Sequence, residues 1–357
     1  MKRIDLILLG SVIFLTIFGL FMIYDASSFV AFRDFGDKYT YVKDQIVWIV
    51  LGLFALIFFA NFNYHRFYNL ALPLLLVSIV LLVMVFIPGF GLKLLGAKRW
   101  IDFGLFTLQP SEVVKLTLSI YLSAWLSSKE KGRIGAFLLL LSMILGLVML
   151  EPDMGTAAII LVLSVALYFL SGANVIHLLV TLPIMFLAGV VLIILEPYRA
   201  ARVATFLNFN QDINASSYHV RQILIALGSG GLMGVGLGNS LQKYAYLPEN
   251  ATDSIFAIIA EELGFIGGVG IIGVFLLIIF RGFNISKNAR DMFGKLLAAG
   301  ITTFLAAQVF INLAAQTALL PLTGIPLPFI SHGGTALIIN LTSVGILLNI
   351  RKQGVNA

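Results

Sequence analysis

The chain contains no cysteine, which rules out disulfides and thiolate metal sites and leaves the redox compartment open. Its four histidines are scattered without the spacing a metal site needs. Charge is scarce as well: 11% of the 357 residues are Asp, Glu, Lys or Arg, against 60% hydrophobic ones. The apolar residues come in long runs rather than amphipathic stripes, so the chain reads as an all-α polytopic membrane protein. A net charge of +6 would suggest nucleic acid in a soluble protein. Beside membrane ends, basic residues report topology and anionic lipid first, so no nucleic-acid partner is expected. Residues 6–24 are long enough to span and read as a retained helix rather than a cleaved signal.

Apolar runs at 6–24, 45–60, 70–88, 109–127, 136–150, 155–170, 177–195, 254–280, 295–316 and 336–350 predict about ten transmembrane helices. They form a single transmembrane domain over 1–357, with no tandem repeat and no segment able to fold as a soluble unit. Ten helices put both termini on one side. The termini and loops of that side carry twelve Lys and Arg, and the opposite short loops carry six. Long loops translocate regardless of charge, so 196–253 is left out, and both termini are expected in the cytoplasm. Residues 89–108, 151–154, 196–253 and 317–335 then lie on the outer side, with most of the proline and much of the glycine. Irregular backbone at membrane depth is tolerated only where it is buried or lines a wet cavity. The expectation is a polar cavity opening outward. The long outer loop 196–253 carries an apolar piece, 223–239, expected to lie on the membrane surface or dip into it.

Four carboxylates, Glu249, Asp253, Glu261 and Glu262, fall within fourteen residues of a chain that has seventeen acidic residues in all. Asp253 reads either as the N-cap of the helix that follows or as a functional acid. Capping cannot cover Glu261 and Glu262, which lie roughly 12–14 Å further along a helix rising about 1.5 Å per residue. Each must pair, face a wet cavity or take up a proton. In "GAKRWIDFGLFTLQPSEVVKL", 96–116, Pro110 suits a first helical turn. Glu112 and Lys115 share one helical face, and a structural ion pair is the favoured reading there. Lys98 and Arg99 would snorkel to headgroups or clamp a phosphate. In "EPDMGTA", 151–157, Asp153 is expected to cap the next helix and Glu151 to face outer water. "ALLPLTGIPLPFISHGGTALI", 318–338, cannot be helical throughout, and Gly333 and Gly334 would permit close approach. Arg199, Arg202 and Arg221 make the long outer loop basic, suiting an anionic headgroup or ordinary phospholipid. From the residues alone, an enzyme acting on a lipid-linked anionic substrate and an ion-coupled transporter both stand. A non-catalytic scaffold would leave Asp253 and the basic loops idle.

With "YDASS" at 24–28, "YRAARVATFL" at 198–207 and "ALGSGGLMGVGLGNSLQKYAYLPENATDSIFAIIAEELGFIG" at 226–267, these motifs run in one order over essentially the whole chain. In that order the chain resembles the SEDS family (shape, elongation, division and sporulation), whose members polymerise peptidoglycan glycan strands. It is similar to the division branch more than to the elongation branch. The resemblance implies inverting β-1,4 transfer between lipid II molecules with release of undecaprenyl diphosphate, in septal cell-wall synthesis. Asp253 would be the general base. Lys98, Arg99, Glu112, Lys115, Arg199, Arg202, Glu249, Glu261 and Glu262 would line or bind the substrate site. A divalent cation, Mg or Mn, would bridge carboxylate and diphosphate, with no organic cofactor. A class B penicillin-binding protein (a transpeptidase) and other divisome or elongasome membrane proteins are the implied partners. The implied location is the bacterial cytoplasmic membrane, with the active site on its outer face. A lipid II flippase is the rival activity. Asp25 stands where the family usually has Ser in "YSAS", and His332 where it more often has Tyr.

Overall fold

A backbone crossing hydrocarbon must satisfy its N–H and C=O groups internally, so long apolar runs become helices. The computed structural model describes residues 4–94, 97–104, 106–128, 134–174, 176–177, 181, 183, 189, 206, 215–244 and 246–354. Among them are ten α-helices: α1 (Leu6–Phe35), α2 (Thr40–Asn61), α3 (Arg66–Met84), α4 (Pro110–Ser127), α5 (Ile134–Leu150), α6 (Met154–Leu170), α7 (Ala215–Ser229), α8 (Ile255–Lys287), α9 (Met292–Gln316) and α10 (Gly334–Gln353). Six of these, α1, α2, α3, α8, α9 and α10, are long and apolar enough to cross a membrane. Nine of the ten expected spans coincide with described helices, and the 177–195 run falls mostly outside the described residues.

The fold is nearly all-helical, with one departure from the all-α expectation. Strands β1 (Gly91–Leu94), β2 (Ala97–Asp102) and β3 (Thr107–Leu108) form a small antiparallel sheet in the α3–α4 connection, in the order β1-β2-β3. The alternation of exposed Lys98, buried Ile101 and exposed Asp102 suits a strand with one face turned inward.

The layering follows side-chain polarity. Helices α1, α2 and α3 expose large apolar residues such as Ile17, Phe54 and Leu72. By contrast α4 buries Ser111, Glu112, Lys115, Thr117, Ser119 and Ser123, and α9 and α10 are buried along most of their length. Helix α10 packs against α2, α4, α8 and α9. The polar helices are therefore wrapped in apolar ones, as a lipid exterior requires.

Two helices depart from the simple hydropathy picture for identifiable reasons. Helix α1 runs past residue 24 to Phe35 because its polar residues find partners: Ser27 Oγ donates to Ile23 O at 2.6 Å, and Asp25 accepts from Lys243 at 2.8 Å. It stops at Gly36, whose φ of 72° is left-handed and whose N–H bonds Phe32 O. Helix α8 is broken at Gly264 (φ 70°, ψ −172°), a conformation essentially confined to glycine. The segment after α7 fills that break. Val235 N and Gly236 N donate to Glu261 O and Glu262 O at 3.0 and 3.1 Å, and Phe265 N and Ile266 N donate to Gly231 O and Leu232 O at 2.9 and 3.2 Å. The apolar piece 223–239 thus ends α7 and then lies along α8, with Leu232, Met233 and Leu237 exposed. At the far end of α8, Arg281 Nε donates to Asp5 Oδ2 at 2.9 Å, tying α8 to the start of α1.

A methyl group on Gly264 would lie 2.5 Å from Leu232 O and 2.6 Å from the Met233 carbonyl carbon. Gly264→Ala is therefore expected to destabilise the protein by at least about 1–3 kcal/mol, the cost of a strained backbone alone. Thermal unfolding in detergent would register this as a lowered Tm, and an unchanged Tm would mean the break can close.

Candidate active site

Asp253 lies one residue outside the helix cap. Helix α8 starts at Ile255 with Ser254 at the cap position, and Ser254 makes no capping bond. Its Oγ is instead hydrogen bonded to His219 Nε2 of α7 at 2.7 Å. Capping is supplied from α9, where Gln316 Oε1 accepts from Ala257 N at 2.8 Å. The cap position itself thus belongs to Ser254, and a neighbouring helix reaches one amide of the first turn.

The backbone around Asp253 is held from several sides. Asn312 Nδ2 of α9 donates to Asp253 O at 3.0 Å and to Ile325 O at 2.8 Å. From the Pro-rich loop 317–333, Ser331 Oγ donates to Thr252 O at 2.5 Å and His332 N to Ala251 O at 2.9 Å. Thr252 Oγ1 donates to Glu249 Oε2 at 2.8 Å and stands 3.4 Å from Asp253 Oδ1. A methyl group on Gly324 would lie 3.9 Å from Asp253 Oδ2, so the carboxylate sits beside that loop. Asp253 is half-buried and Glu249 exposed. The arrangement fixes an acid at a partly wet surface between α8, α9 and the 317–333 loop.

One turn along α9 a second polar group begins. Gln308 and Asn312 are four residues apart and so share a face. Gln308 Nε2 donates to Pro326 O at 3.0 Å, and its Oε1 accepts from Lys115 Nζ at 2.8 Å. Lys115 also pairs with Glu112 Oε1 at 2.7 Å, both residues being almost wholly buried. Glu112 Oε2 is buried without a hydrogen-bond partner, the kind of oxygen a cation or a water would use. Among the described residues no group of three or more His, Asp or Glu side chains comes together. A divalent ion held at Glu112 would complete its shell with phosphate and water, the habit of Mg²⁺.

The 151–153 turn borders this region. Asp153 caps α6 as expected, accepting from Thr156 N at 3.0 Å and from Thr156 Oγ1 at 2.8 Å. Glu151 does not face water; it is fully buried with neither carboxylate oxygen hydrogen bonded. Burial, and then the nearby Asp153, push its pKa up to about 9 against a smaller opposing effect of Arg99. The sequence shows the turn as polar, but the packing of β2 over it removes the solvent. Arg99 lies across this turn, donating from Nε to Glu151 O at 3.1 Å and from Nη2 to Pro152 O. Lys98 is exposed.

Glu261 and Glu262 hold the loop that fills the break in α8. Glu261 accepts from Ser240 Oγ and from Leu241 N at 3.3 Å. Glu262 Oε1 accepts from Ser240 N and from Lys243 Nζ, both at 3.1 Å. Lys243 also meets Asp25 Oδ1 at 2.8 Å. Burial alone would lower the pKa of Lys243, but Asp25 and Glu262 outweigh it and hold the ammonium above its ordinary value.

Asp253, Glu249, Glu112 and Lys115 are thus linked through α9 and the 317–333 loop, whereas Glu261 and Glu262 serve a neighbouring loop. Arg199 and Arg202 lie outside the described residues. Sequence reasoning missed Lys243, Gln308, Asn312 and Gln316. The last three had a legible signal, amides repeating every four residues along one face of an apolar helix.

Comparison with known proteins points one way. The sequence model of the FtsW/RodA/SpoVE cell cycle proteins matches residues 5–355. Stage V sporulation protein E of Bacillus subtilis is 39% identical over 98% of this chain and 97% of its own. A probable peptidoglycan glycosyltransferase FtsW of Trichlorobacter lovleyi is 40% identical over 97% and 92%. Among solved structures, a chain from a study of how a peptidoglycan synthase complex coordinates polymerization and crosslinking superposes with a TM-score of 0.84, at 27% identity over 99% of both chains. The rod shape determining protein RodA of Thermus thermophilus superposes with a TM-score of 0.73, at 27% identity over 98% of both.

Two outcomes follow from the buried charges. Lys115→Met leaves Glu112 without its counter-ion and is expected to cost roughly 3–5 kcal/mol, whereas the double variant with Glu112→Gln costs clearly less; unfolding of the three proteins in one detergent measures the difference. Folded Glu151 keeps its proton up to about pH 9, while the unfolded chain releases it near 4.5. Its contribution to stability is full below about 4.5 and lost as pH rises through about 9. The Tm of Glu151→Gln relative to wild type should therefore climb between pH 5 and pH 9, and a flat difference would show that Glu151 ionises normally.

Proposed function

The chain belongs to the FtsW/RodA/SpoVE family of cell cycle proteins, and on that premise we propose that it is a septal peptidoglycan polymerase with Asp253 as its acid–base group. It is a peptidoglycan glycosyltransferase. The substrate we assign is lipid II, joined by inverting β-1,4 transfer with undecaprenyl diphosphate as the leaving group, on the outer face of the bacterial cytoplasmic membrane.

The observation that carries this reading is the setting of Asp253. Its backbone is fixed by Asn312, its neighbours by Ser331 and His332, and Gln316 meets the amide of Ala257 in the turn that follows. A half-buried carboxylate on a backbone held from several sides suits proton transfer from a sugar hydroxyl. In the reaction, Asp253 would accept the proton of the acceptor 4-hydroxyl as its oxygen attacks C1 of the donor, and the C1–oxygen bond to diphosphate breaks. Negative charge grows on the departing diphosphate and calls for cationic groups. Lys98 is exposed and available to it; Lys115 is engaged with Glu112 and Gln308 and would shape the site from below. A divalent cation at Glu112 Oε2 would add neutralisation of the diphosphate.

The partner we infer is a class B penicillin-binding protein, supported by the likeness to a chain from the study of coupled polymerization and crosslinking. The likeness to stage V sporulation protein E favours a second setting for the same chemistry, the wall made during sporulation.

The test is glycan-strand synthesis from labelled lipid II by the purified protein with its cognate transpeptidase, comparing wild type with Asp253→Asn. Polymer from wild type, reduced at least about 10²-fold in the variant, is expected for loss of an acid–base group. Polymer from both would remove Asp253 from that role. No polymer from either, with movement of lipid II across liposome membranes by wild type, would replace polymerisation with transport.

A further inference from the structure

The segment that ends at Asp253 is anchored at its beginning by a charge cluster that the chemistry above does not use. Lys243 Nζ sits between Asp25 Oδ1 of α1, at 2.8 Å, and Glu262 Oε1 of α8, at 3.1 Å, with the lysine side chain 7% exposed. A second tie lies beside it: Asn250 Nδ2 donates to Ala26 O of α1 at 2.9 Å and to Lys243 O at 3.4 Å. Between these anchors and Asp253 the loop is cross-linked to itself. Leu247 N bonds Gln242 O at 3.1 Å, and Thr252 N and Ser254 N bond Glu249 O at 3.1 and 3.2 Å. Because Asn250 Nδ2 also holds Lys243 O, displacement of Lys243 is passed to the 249–254 turns that carry Asp253.

We propose that Lys243, held by Asp25 and Glu262, is a positioning residue for Asp253, making α1 the fixed reference against which the acid is set. This rests on the glycosyltransferase reading for its kinetic consequence, not for its structural one. The cluster also gives the acid at position 25 of α1 a partner: the buried ammonium is bridged by a carboxylate from each of two helices. Positional error matters because a shift of about 1 Å in a catalytic group costs on the order of 10²-fold in rate.

The experiment uses the full-length protein with its transpeptidase in nanodiscs, comparing Lys243→Met, Lys243→Arg, Asp25→Asn, the Lys243→Met/Asp25→Asn double variant and the exchange Asp25→Lys/Lys243→Asp. We expect kcat to fall about 10- to 100-fold in Lys243→Met with KM for lipid II within about twofold. Asp25→Asn should lower kcat in the same way, and the double variant should be no worse than Lys243→Met, as for residues in one network. Lys243→Arg and the exchanged pair should recover part of the rate. Hydrogen exchange of amides within 246–254 should quicken in Lys243→Met and in Asp25→Asn. Unchanged kcat, a rise confined to KM, or losses that multiply in the double variant would overturn the proposal. If wild type makes no polymer the glycosyltransferase reading fails, and the exchange measurement still decides: unaltered protection at 246–254 overturns the anchor and loss of protection supports it. Should Lys243→Met not fold, Asp25→Asn and the exchanged pair carry the same comparison.

Discussion

A charge carried into hydrocarbon must find its counter-charge inside the protein, and that requirement organises this fold. Lys115 meets Glu112 and Gln308, Lys243 meets Asp25 and Glu262, and Arg281 meets Asp5. Each pairing dictates which helices are neighbours: α4 with α9, α1 with the loop before α8, α1 with the far end of α8. The apolar helices around them could slide over one another at little cost, since lipid tails are as oily as leucine. Directional polar contacts supply the register that nonspecific packing lacks. The pairs are weak evidence for stability as such and stronger evidence for specificity.

The same rule governs irregular backbone. The break at Gly264 and the turns at 230–239 each leave amides and carbonyls outside helical ladders, and each supplies what the other lacks. Asp253 stands where two such irregular pieces meet: the loop before α8, with its turns at 249–254, and the 317–333 loop. The irregularity is thereby concentrated at the proposed site of chemistry, while the opposite ends of α1 and α8 are closed by a plain ion pair.

Much of this was legible in the sequence because hydropathy is a one-dimensional signal. Nine of the runs fall on helices, with α4, α5 and α6 placed within two residues at their starts. The Glu112–Lys115 pair and the Asp153 cap are local, three residues from partner to partner, and could be read without a fold. What escaped was non-local. Asp25 and Lys243 are 218 positions apart, and nothing in either neighbourhood announces the other. Glu151 was expected in water because a polar turn usually is; the strand that covers it came from a segment read as irregular. The Gln316 side chain that meets the first turn of α8 lies 59 positions from its partner Ala257, at the end of another helix.

The burial of α10 has a consequence for biogenesis. It follows the other described helices in sequence, yet it lies among α2, α4, α8 and α9, and its Asn349 bonds Ala60 O at the end of α2 and Tyr64 N just beyond it. Helices enter a bilayer in order of synthesis, so α2, α4 and α9 are inserted before the element that fills the space between them. Until residues 334–353 leave the ribosome, the nascent bundle has a seam where its keystone belongs. A stop codon in those residues would remove the centre of the assembly rather than its edge.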